Sequence, residues 1–170
     1  MMRGALSGRT AIVIGADSGI GSAVSWALSR VGASVVLGAG DGAALAADIG
    51  AAGGQAVAVP TDLTNPVSVR RLVDQTLGAY GRLDAAINVC AVALAMKYEI
   101  PAMRRAGGGR ILNLAPIDDL QAVIELTRAA ALFCAGSGVR IDAVAIGPQD
   151  GEDVARTVVW HVARRLPIGR

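Results

Sequence analysis

The stretch TAIVIGADSGIG, residues 10–21, joins a short β-branched apolar run to a glycine-rich turn. The helix-like segment SAVSWALSRVG (22–32) follows directly, and its Gly32 stands where a left-handed residue normally ends a helix. A strand, a tight glycine turn and a helix in this order form the start of a βαβ unit. We therefore interpret residues 10–32 as the first strand, turn and helix of an α/β fold.

Five more short apolar runs alternate with longer helix-like segments. These runs are ASVVLG (33–38), QAVAVP (55–60), LDAAIN (83–88), RILNLA (110–115) and VRIDAVA (139–145). Apolar strands alternating with helices are typical of a parallel sheet covered on both faces. Asn65-Pro66 predicts a capped helix start, and Asp118 with Gln121 predicts a capping box. We predict a single domain over residues 1–170: a Rossmann-like, doubly wound parallel sheet of about six strands in a three-layer αβα arrangement.

The composition and net charge argue against two functional classes, nucleic-acid binding and membrane proteins. The 170 residues are 53% apolar and only 3% aromatic, and 16 basic against 14 acidic residues give a net charge of +2. Scattered arginines do not form an electrostatic footprint for nucleic acid, and no apolar run reaches membrane-spanning length. We expect a cytoplasmic protein that binds neither nucleic acid nor membrane. Cys90 and Cys134, set in apolar sequence, are expected to be buried reduced thiols.

The turn GADSGIG (15–21) has the features of a pyrophosphate cradle. Its glycines allow close approach of the backbone, and the following helix N-terminus offers free N–H groups and a positive dipole end. The turn resembles the TGxxxGIG motif of the short-chain dehydrogenase/reductase family. Asp62-Leu63-Thr64 is similar to the family's aspartate at the adenine edge, and Asn88-Val89-Cys90-Ala91 stands where the family has NNAG.

The resemblance continues through the second half of the chain. Residues 96–115 resemble the second half of the family's fifth helix and its fifth strand. Residues 122–150 resemble the sixth helix, the sixth strand and the segment that faces the nicotinamide. The resemblance implies a set of cofactor-binding residues: Gly15, Asp17, Ser18, Gly19, Ile20, Gly21, Asp41, Asp62, Leu63, Asn88 and Gly147.

The cofactor implied by the resemblance is NAD more than NADP. The second strand ends in Gly38-Ala39-Gly40-Asp41, and the glycine loop carries Asp17 and Ser18 without an arginine. A carboxylate repels the extra phosphate of NADP, and Asp41 is placed to hold the ribose hydroxyls of NAD. The alternative is that Asp41 belongs only to a turn before the next helix.

The departures from the family coincide with its catalytic parts. After Leu94 the sequence passes to AMKYEIPAM (95–103) and omits the loop and half-helix that supply a catalytic asparagine. Ala115 or Pro116 holds the position of the family's serine, and the tyrosine-lysine segment is reduced to PIDDL (116–120). After Asp150 we expect both the substrate lid and the family's last strand to be missing.

Residue counts reach the same conclusion without alignment. Lys97 is the single lysine, and Ala93 stands four residues before it, so no YxxxK pair exists. Tyr80 and Tyr98 belong to segments that the resemblance places away from the proton-transfer position. The Ser-Tyr-Lys active site is therefore absent, and unaided hydride transfer is expected to be lost or strongly impaired.

Other candidates for chemistry are weaker. The single histidine, His161, lies in a helix whose stripe of Val154, Val158, Val162 and Leu166 indicates ordinary packing. The carboxylates of Asp118 and Glu125 could form a new proton-transfer pair, although acids near a helix start are also favoured by the helix dipole. No ligand spacing for a metal is present.

These observations leave three functional hypotheses. The first is a non-catalytic NAD(P)-binding pseudoenzyme or partner scaffold that pairs with itself or with a complete relative through the family's fifth and sixth helices. The second is an oxidoreductase acting on a small carbonyl compound or alcohol with non-standard catalytic residues. The third is a decayed or artificially shortened sequence without function beyond folding.

Overall fold

A computed structural model describes residues 4–147 and 151–164. Its strands are β1 (Thr10–Ile14), β2 (Ser34–Ala39), β3 (Gln55–Pro60), β4 (Ala85–Asn88), β5 (Gly109–Pro116) and β6 (Val139–Ile146). Its helices are α1 (Gly19–Arg30), α2 (Ala43–Ala51), α3 (Pro66–Tyr80), α4 (Val92–Arg105), α5 (Leu120–Phe133) and α6 (Gly151–Ala163), with a 3₁₀ turn (Ile117–Asp119) before α5. Every predicted apolar run forms a strand.

The described strands form one parallel sheet in the order β3-β2-β1-β4-β5-β6. The order reverses between β1 and β4, which are neighbours in the sheet with Ile14 opposite Asn88. Asn88 in turn lies opposite Asn113 of β5. In such a sheet a crevice opens at the carboxyl ends of the strands where the order reverses, so the predicted doubly wound topology places a candidate site beyond Ile14 and Asn88.

Helices cover both faces of the sheet. On one face α1, α2 and α6 pack against alternate strand residues such as Val13 and Leu37. On the other face α3 and α4 pack against the intervening residues, represented by Ile12 and Ile111, and α5 lies on the same side through its Ala130. The predicted three-layer arrangement is confirmed, because helices lie on both faces and the central strands β1 and β2 bury both rows of their side chains.

The helix carrying His161 packs as predicted. Val154, Val158 and Val162 are buried in the layer beside α1, whereas Leu166 lies outside the described residues. No helix in residues 4–147 and 151–164 is long and apolar enough to cross a membrane.

Two helix ends have the capping residues predicted from the sequence, and the start of a third helix does not. Gly32 adopts φ +97°, and Asn65 Oδ1 accepts from the Val67 N–H at 2.9 Å with Pro66 beginning α3. The predicted Asp118 capping box is wrong. The N-cap of α5 is Asp119, which makes no side-chain cap bond, because a 3₁₀ turn with helical backbone leads directly into the helix. Gln121 instead donates to Glu125 Oε1 at 2.8 Å.

Candidate functional site

The turn after β1 is held by one serine. Gly15 adopts φ +81°, and its N–H donates to the Gly38 carbonyl at 2.9 Å. Ser18 Oγ donates to the Gly15 carbonyl at 2.8 Å and accepts from the Gly21 N–H at 2.9 Å, which makes Ser18 the N-cap of α1. The turn therefore keeps its shape through contacts of its own residues.

Two glycines in this turn have opposite surroundings. A Cβ on Gly21 would stand 2.1 Å from the Gly15 carbonyl oxygen, so only glycine fits there. A Cβ on Gly19 would meet nothing within 4 Å among the described residues. Gly21 therefore allows the turn to close on the helix, whereas Gly19 and the following Ile20 begin α1 on the open side. Helix N–H groups in this first turn suit an anionic ligand.

The loop after β4 lies against this turn. The Val89 N–H donates to the Ile14 carbonyl at 3.0 Å. A Cβ on Gly15 would be 3.0 Å from Cys90 Sγ and 3.3 Å from the Val89 Cβ, so the two segments are in close contact. Cys90 is a free thiol as predicted but is exposed rather than buried, because it follows the strand in the loop at the crevice; Cys134 is free and buried.

Ala91 is the N-cap of α4 and has a left-handed backbone, with φ +51° and ψ +32°. It is the one non-glycine residue with positive φ in residues 4–147 and 151–164. The NNAG motif that this stretch resembles has glycine at the corresponding position. The turn therefore places a Cβ at a left-handed position where it is unfavourable, at a cost of about 1 kcal/mol.

Two aspartates lie on the edge of the crevice beyond β1 and β2. Asp17 and Asp41 are both exposed. A Cβ on Gly40 would lie 3.8 Å from Asp17 Oδ2, which places the glycine turn close to the end of β2. Asp41 Oδ1 accepts a long bond of 3.3 Å from the Ala43 N–H. This bond supports the alternative that Asp41 belongs to a turn before α2. The carboxylate remains exposed to solvent.

The segment after β3 is ordered by local hydrogen bonds. Asp62 is exposed, and its Oδ1 accepts from Thr64 Oγ1 at 2.7 Å and from the Thr64 N–H at 2.9 Å. The hydrogen bonds of the Thr64 side chain and backbone hold the pKa of Asp62 below its usual value. Leu63 packs against the core beneath. The carboxylate is therefore positioned and charged at the same edge of the sheet.

The remaining predicted residues lie on the far side of the crevice. Gly147 follows β6, and a Cβ there would lie 3.8 Å from Ile117 Cδ1; residues 148–150 are outside the described residues. Asp118 and Glu125 are exposed, and Glu125 is bonded to Gln121. The structure does not bury these two carboxylates. Within the described part of the chain, no group of three or more His, Cys, Asp or Glu could hold a metal ion.

Asn88 lies beneath the crevice. Its side chain is 0% exposed, and its Nδ2 donates to Asn113 Oδ1 and to Glu99 Oε2, both at 3.0 Å. Asn113 Nδ2 donates to Thr127 Oγ1 at 2.9 Å. The end of β4 is therefore tied through side chains to β5, α4 and, by way of Asn113, α5.

Glu99 is the polar residue that sequence analysis missed. It is fully buried, and burial raises the pKa of its carboxyl to about 7 against a smaller opposing effect of the Asn88 hydrogen bond. One signal was present in the sequence. Glu99 lies three residues after Met96 and four before Met103, on the apolar face of α4, where a charged side chain needs a buried partner.

Replacing Ala91 with glycine should stabilise the protein. Relief of the left-handed Cβ clash outweighs the added chain entropy of glycine, so the free energy of unfolding should rise by about 0.5–1 kcal/mol. Thermal denaturation followed by circular dichroism measures the change. The matched control is Ala129→Gly on the exposed side of α5, which should lower stability by about 1 kcal/mol. Equal destabilisation by both substitutions would contradict the assigned strain at Ala91.

Comparison with known proteins agrees with this geometry. Residues 9–97 match the family model described as short chain dehydrogenase. The chain is 34% identical over 212 aligned residues to the cis-4-hydroxycyclohexanecarboxylate dehydrogenase of Sinomonas cyclohexanicum, covering 98% of this chain and 84% of the relative. It is 33% identical over 182 residues to the 2,5-dichloro-2,5-cyclohexadiene-1,4-diol dehydrogenase of Sphingobium indicum, covering 84% of this chain and 73% of the relative.

A solved structure shows the same fold. The crystal structure of a metagenomic short-chain oxidoreductase in complex with NADP superposes with a TM-score of 0.85 at 27% identity, covering 94% of this chain and 93% of that one. The sheet order, the glycine turn at the switch point and these matches lead to one conclusion: the chain belongs to the short-chain dehydrogenase/reductase family, an oxidoreductase family that binds NAD or NADP.

Proposed function

We propose that this protein binds a nicotinamide dinucleotide in the crevice beyond β1 and β4, and that its tyrosine-dependent hydride transfer is lost or strongly impaired. The observation that carries the first part is the turn from Gly15 to Gly21, which Ser18 holds in shape, while a Cβ on Gly19 would meet nothing within 4 Å among the described residues. A pyrophosphate placed there would meet the N-terminus of α1. Asp62 is positioned for the adenine end, as the family resemblance implies.

The sequence supports the loss of hydride transfer. Its single lysine, Lys97, has no tyrosine four residues before it. Tyr80 is the last residue of α3 and Tyr98 lies in α4, and both pack against the core on that side of the sheet. The alignment with the Sinomonas relative spans 212 residues although this chain has 170, so the relative contains residues without a counterpart here. Loss of a general acid typically costs ~10²–10⁴ in rate.

We infer that NAD is preferred to NADP. The exposed carboxylates of Asp17 and Asp41 lie at the edge where the family places the adenosine ribose, and both would repel a 2′-phosphate. The structurally similar metagenomic oxidoreductase was crystallised with NADP, so the fold itself does not exclude NADP.

Calorimetric titration with NAD, NADH, NADP and NADPH tests the binding proposal. We expect saturable binding, tighter for NAD than for NADP, and loss of binding in Gly19→Leu because the new side chain would occupy the open space of the pyrophosphate. Gly78→Leu is the matched control, since a Cβ there also meets nothing within 4 Å but lies on α3 away from the crevice. Absence of binding by the wild-type protein to all four dinucleotides would overturn the proposal.

The second candidate function is an oxidoreductase with non-standard catalytic groups. It is favoured by the names of the two relatives, both dehydrogenases of alcohols on a six-membered carbon ring. Oxidation of cyclohexanol with NAD or NADP, followed by reduced-nucleotide absorbance, tests it. If turnover occurs, replacing Asp118 and Glu125 with alanine together should abolish it; an unchanged rate would remove both residues as catalytic groups. If no turnover occurs with a bound nucleotide, the non-catalytic proposal is supported.

We infer that a scaffold role would use the outer face of α5. Its Leu132 and Phe133 are 78% and 69% exposed, and Thr127 is its only buried residue. The guanidinium of Arg104 on α4 lies 5.0 Å from the Phe133 ring centre, so the apolar patch borders α4. We expect a dimer by light scattering that Leu132→Lys disrupts. A strict monomer that also fails to bind a complete relative would remove this role.

A further inference from the structure

The carboxyl of Glu99 is enclosed by the sheet and α4. Its Oε2 accepts from Asn88 Nδ2 at 3.0 Å, and the second contact of that nitrogen is Asn113 Oδ1, also at 3.0 Å. Both asparagines and Glu99 are 0% exposed. The orientation of the Asn88 amide follows from these contacts, because its nitrogen must point at two oxygens.

One side-chain oxygen of Asn88 and one of Glu99 make no hydrogen bond within the described residues. Neither Asn88 Oδ1 nor Glu99 Oε1 has a hydrogen-bond partner within residues 4–147 and 151–164, and both atoms are buried. A buried polar atom without a partner costs about 1–3 kcal/mol. The two unpartnered oxygens belong to side chains already joined by a hydrogen bond, and a single proton shared between them would satisfy both.

Within residues 4–147 and 151–164, no charged side chain compensates a carboxylate at this position. On α4 the charged residues are Lys97, Arg104 and Arg105, on α3 they are Arg70, Arg71 and Asp74, and on α5 they are Glu125 and Arg128; all of these are exposed. Arg110 and Asp142 pair with each other on the opposite face of the sheet from Ile111 and Ile141. The other titratable groups on the Glu99 side are Tyr80, Tyr98 and Cys134.

We propose that Glu99 is protonated in the native fold and donates through Oε1 to Asn88 Oδ1, forming a two-bond acid–amide pair that acts as a proton-controlled latch on the loop from Val89 to Ala91. The acid then donates one hydrogen bond and accepts the other, so every oxygen of the pair is used. Glu99 is a positioning residue for the crevice and touches no ligand itself.

A short series of contacts connects the Asn88–Glu99 pair to the crevice. Asn88 ends β4, and the next residue, Val89, bonds the Ile14 carbonyl. Cys90 then lies against Gly15, and Ala91 caps the helix that carries Glu99. Ala91 is also the strained residue of the loop, so the contacts around it must hold its backbone in place. The coupling to nucleotide affinity rests on the proposed function, whereas the latch itself does not.

The direction of the pH effect follows from the two states of Glu99. Its carboxyl would titrate near 4.5 in the unfolded chain, and its pKa is raised to about 7 in the fold. The stability contributed by the neutral form is fully present below about pH 4.5 and is lost as the pH rises to about 7. Above that range the carboxylate would be buried without a counter-charge, and the released proton would pass to solvent.

Hydrogen–deuterium exchange of the peptide covering residues 88–95, compared between wild-type protein and Glu99→Gln at equal pH, tests the latch without any ligand. Glutamine reproduces both hydrogen bonds of the acid and cannot ionise. We expect equal protection at pH 6 and faster exchange of the wild-type loop at pH 8. The unfolding midpoint of the wild type should fall between pH 5 and pH 8 more steeply than that of Glu99→Gln. Glu125→Gln, which removes an exposed carboxylate, should behave like the wild type.

Nucleotide titration at the same two pH values tests the coupling. If only the latched loop binds, the apparent Kd of the wild type should be roughly tenfold weaker at pH 8 than at pH 6, with no such change in Glu99→Gln. Failure to bind at either pH would reject the proposed function and leave the exchange result to decide the latch. Identical exchange and identical pH profiles of midpoint in the two proteins, or failure of Glu99→Gln to fold, would overturn the latch.

Discussion

The buried amide of Asn88 is the constraint on which the centre of the molecule depends. It stands at the end of β4, next to β1 in the sheet, and its nitrogen bonds both Asn113 of β5 and Glu99 of α4. Polar groups at this depth must find partners inside the protein. The position of β4, and with it the crevice where the strand order reverses, is therefore set by directional hydrogen bonds as well as by apolar packing.

In the turn from Gly15 to Gly21, the residues that hold the backbone in shape differ from the residue that leaves room beside it. Ser18 and Gly21 hold the turn against its own backbone, and a side chain at Gly21 would collide with Gly15. A Cβ on Gly19, in contrast, would meet nothing within 4 Å among the described residues. A fold can therefore retain its binding turn while the groups that perform chemistry change, because those groups come from other segments. In the neighbouring loop, Ala91 has a left-handed backbone although it carries a Cβ.

The 3₁₀ turn of residues 117–119 and the exposed face of α5 are neighbours in the second half of the chain. The 3₁₀ turn of residues 117–119 takes the place where the resemblance expects a longer tyrosine-lysine segment, and α5 follows it with a largely exposed apolar face. An exposed apolar face of this kind favours association. Dinucleotide binding and partner binding would thus use different surfaces of one scaffold, which permits the one to be tested without the other.

The sequence by itself determined the strands, their parallel arrangement, and the local ends at Gly32 and Asn65, because apolar runs and caps depend on neighbouring residues. It also predicted the glycine turn between β1 and α1. Glycine is needed there because Gly15 has a positive φ and a Cβ on Gly21 would collide with the Gly15 carbonyl. Only the tertiary structure decided that Asp118 does not cap α5, that Cys90 is exposed, and that Glu99 is buried beside Asn88. These outcomes depend on contacts between segments distant in sequence, and the burial and charge state of a side chain follow from those contacts rather than from its neighbours along the chain.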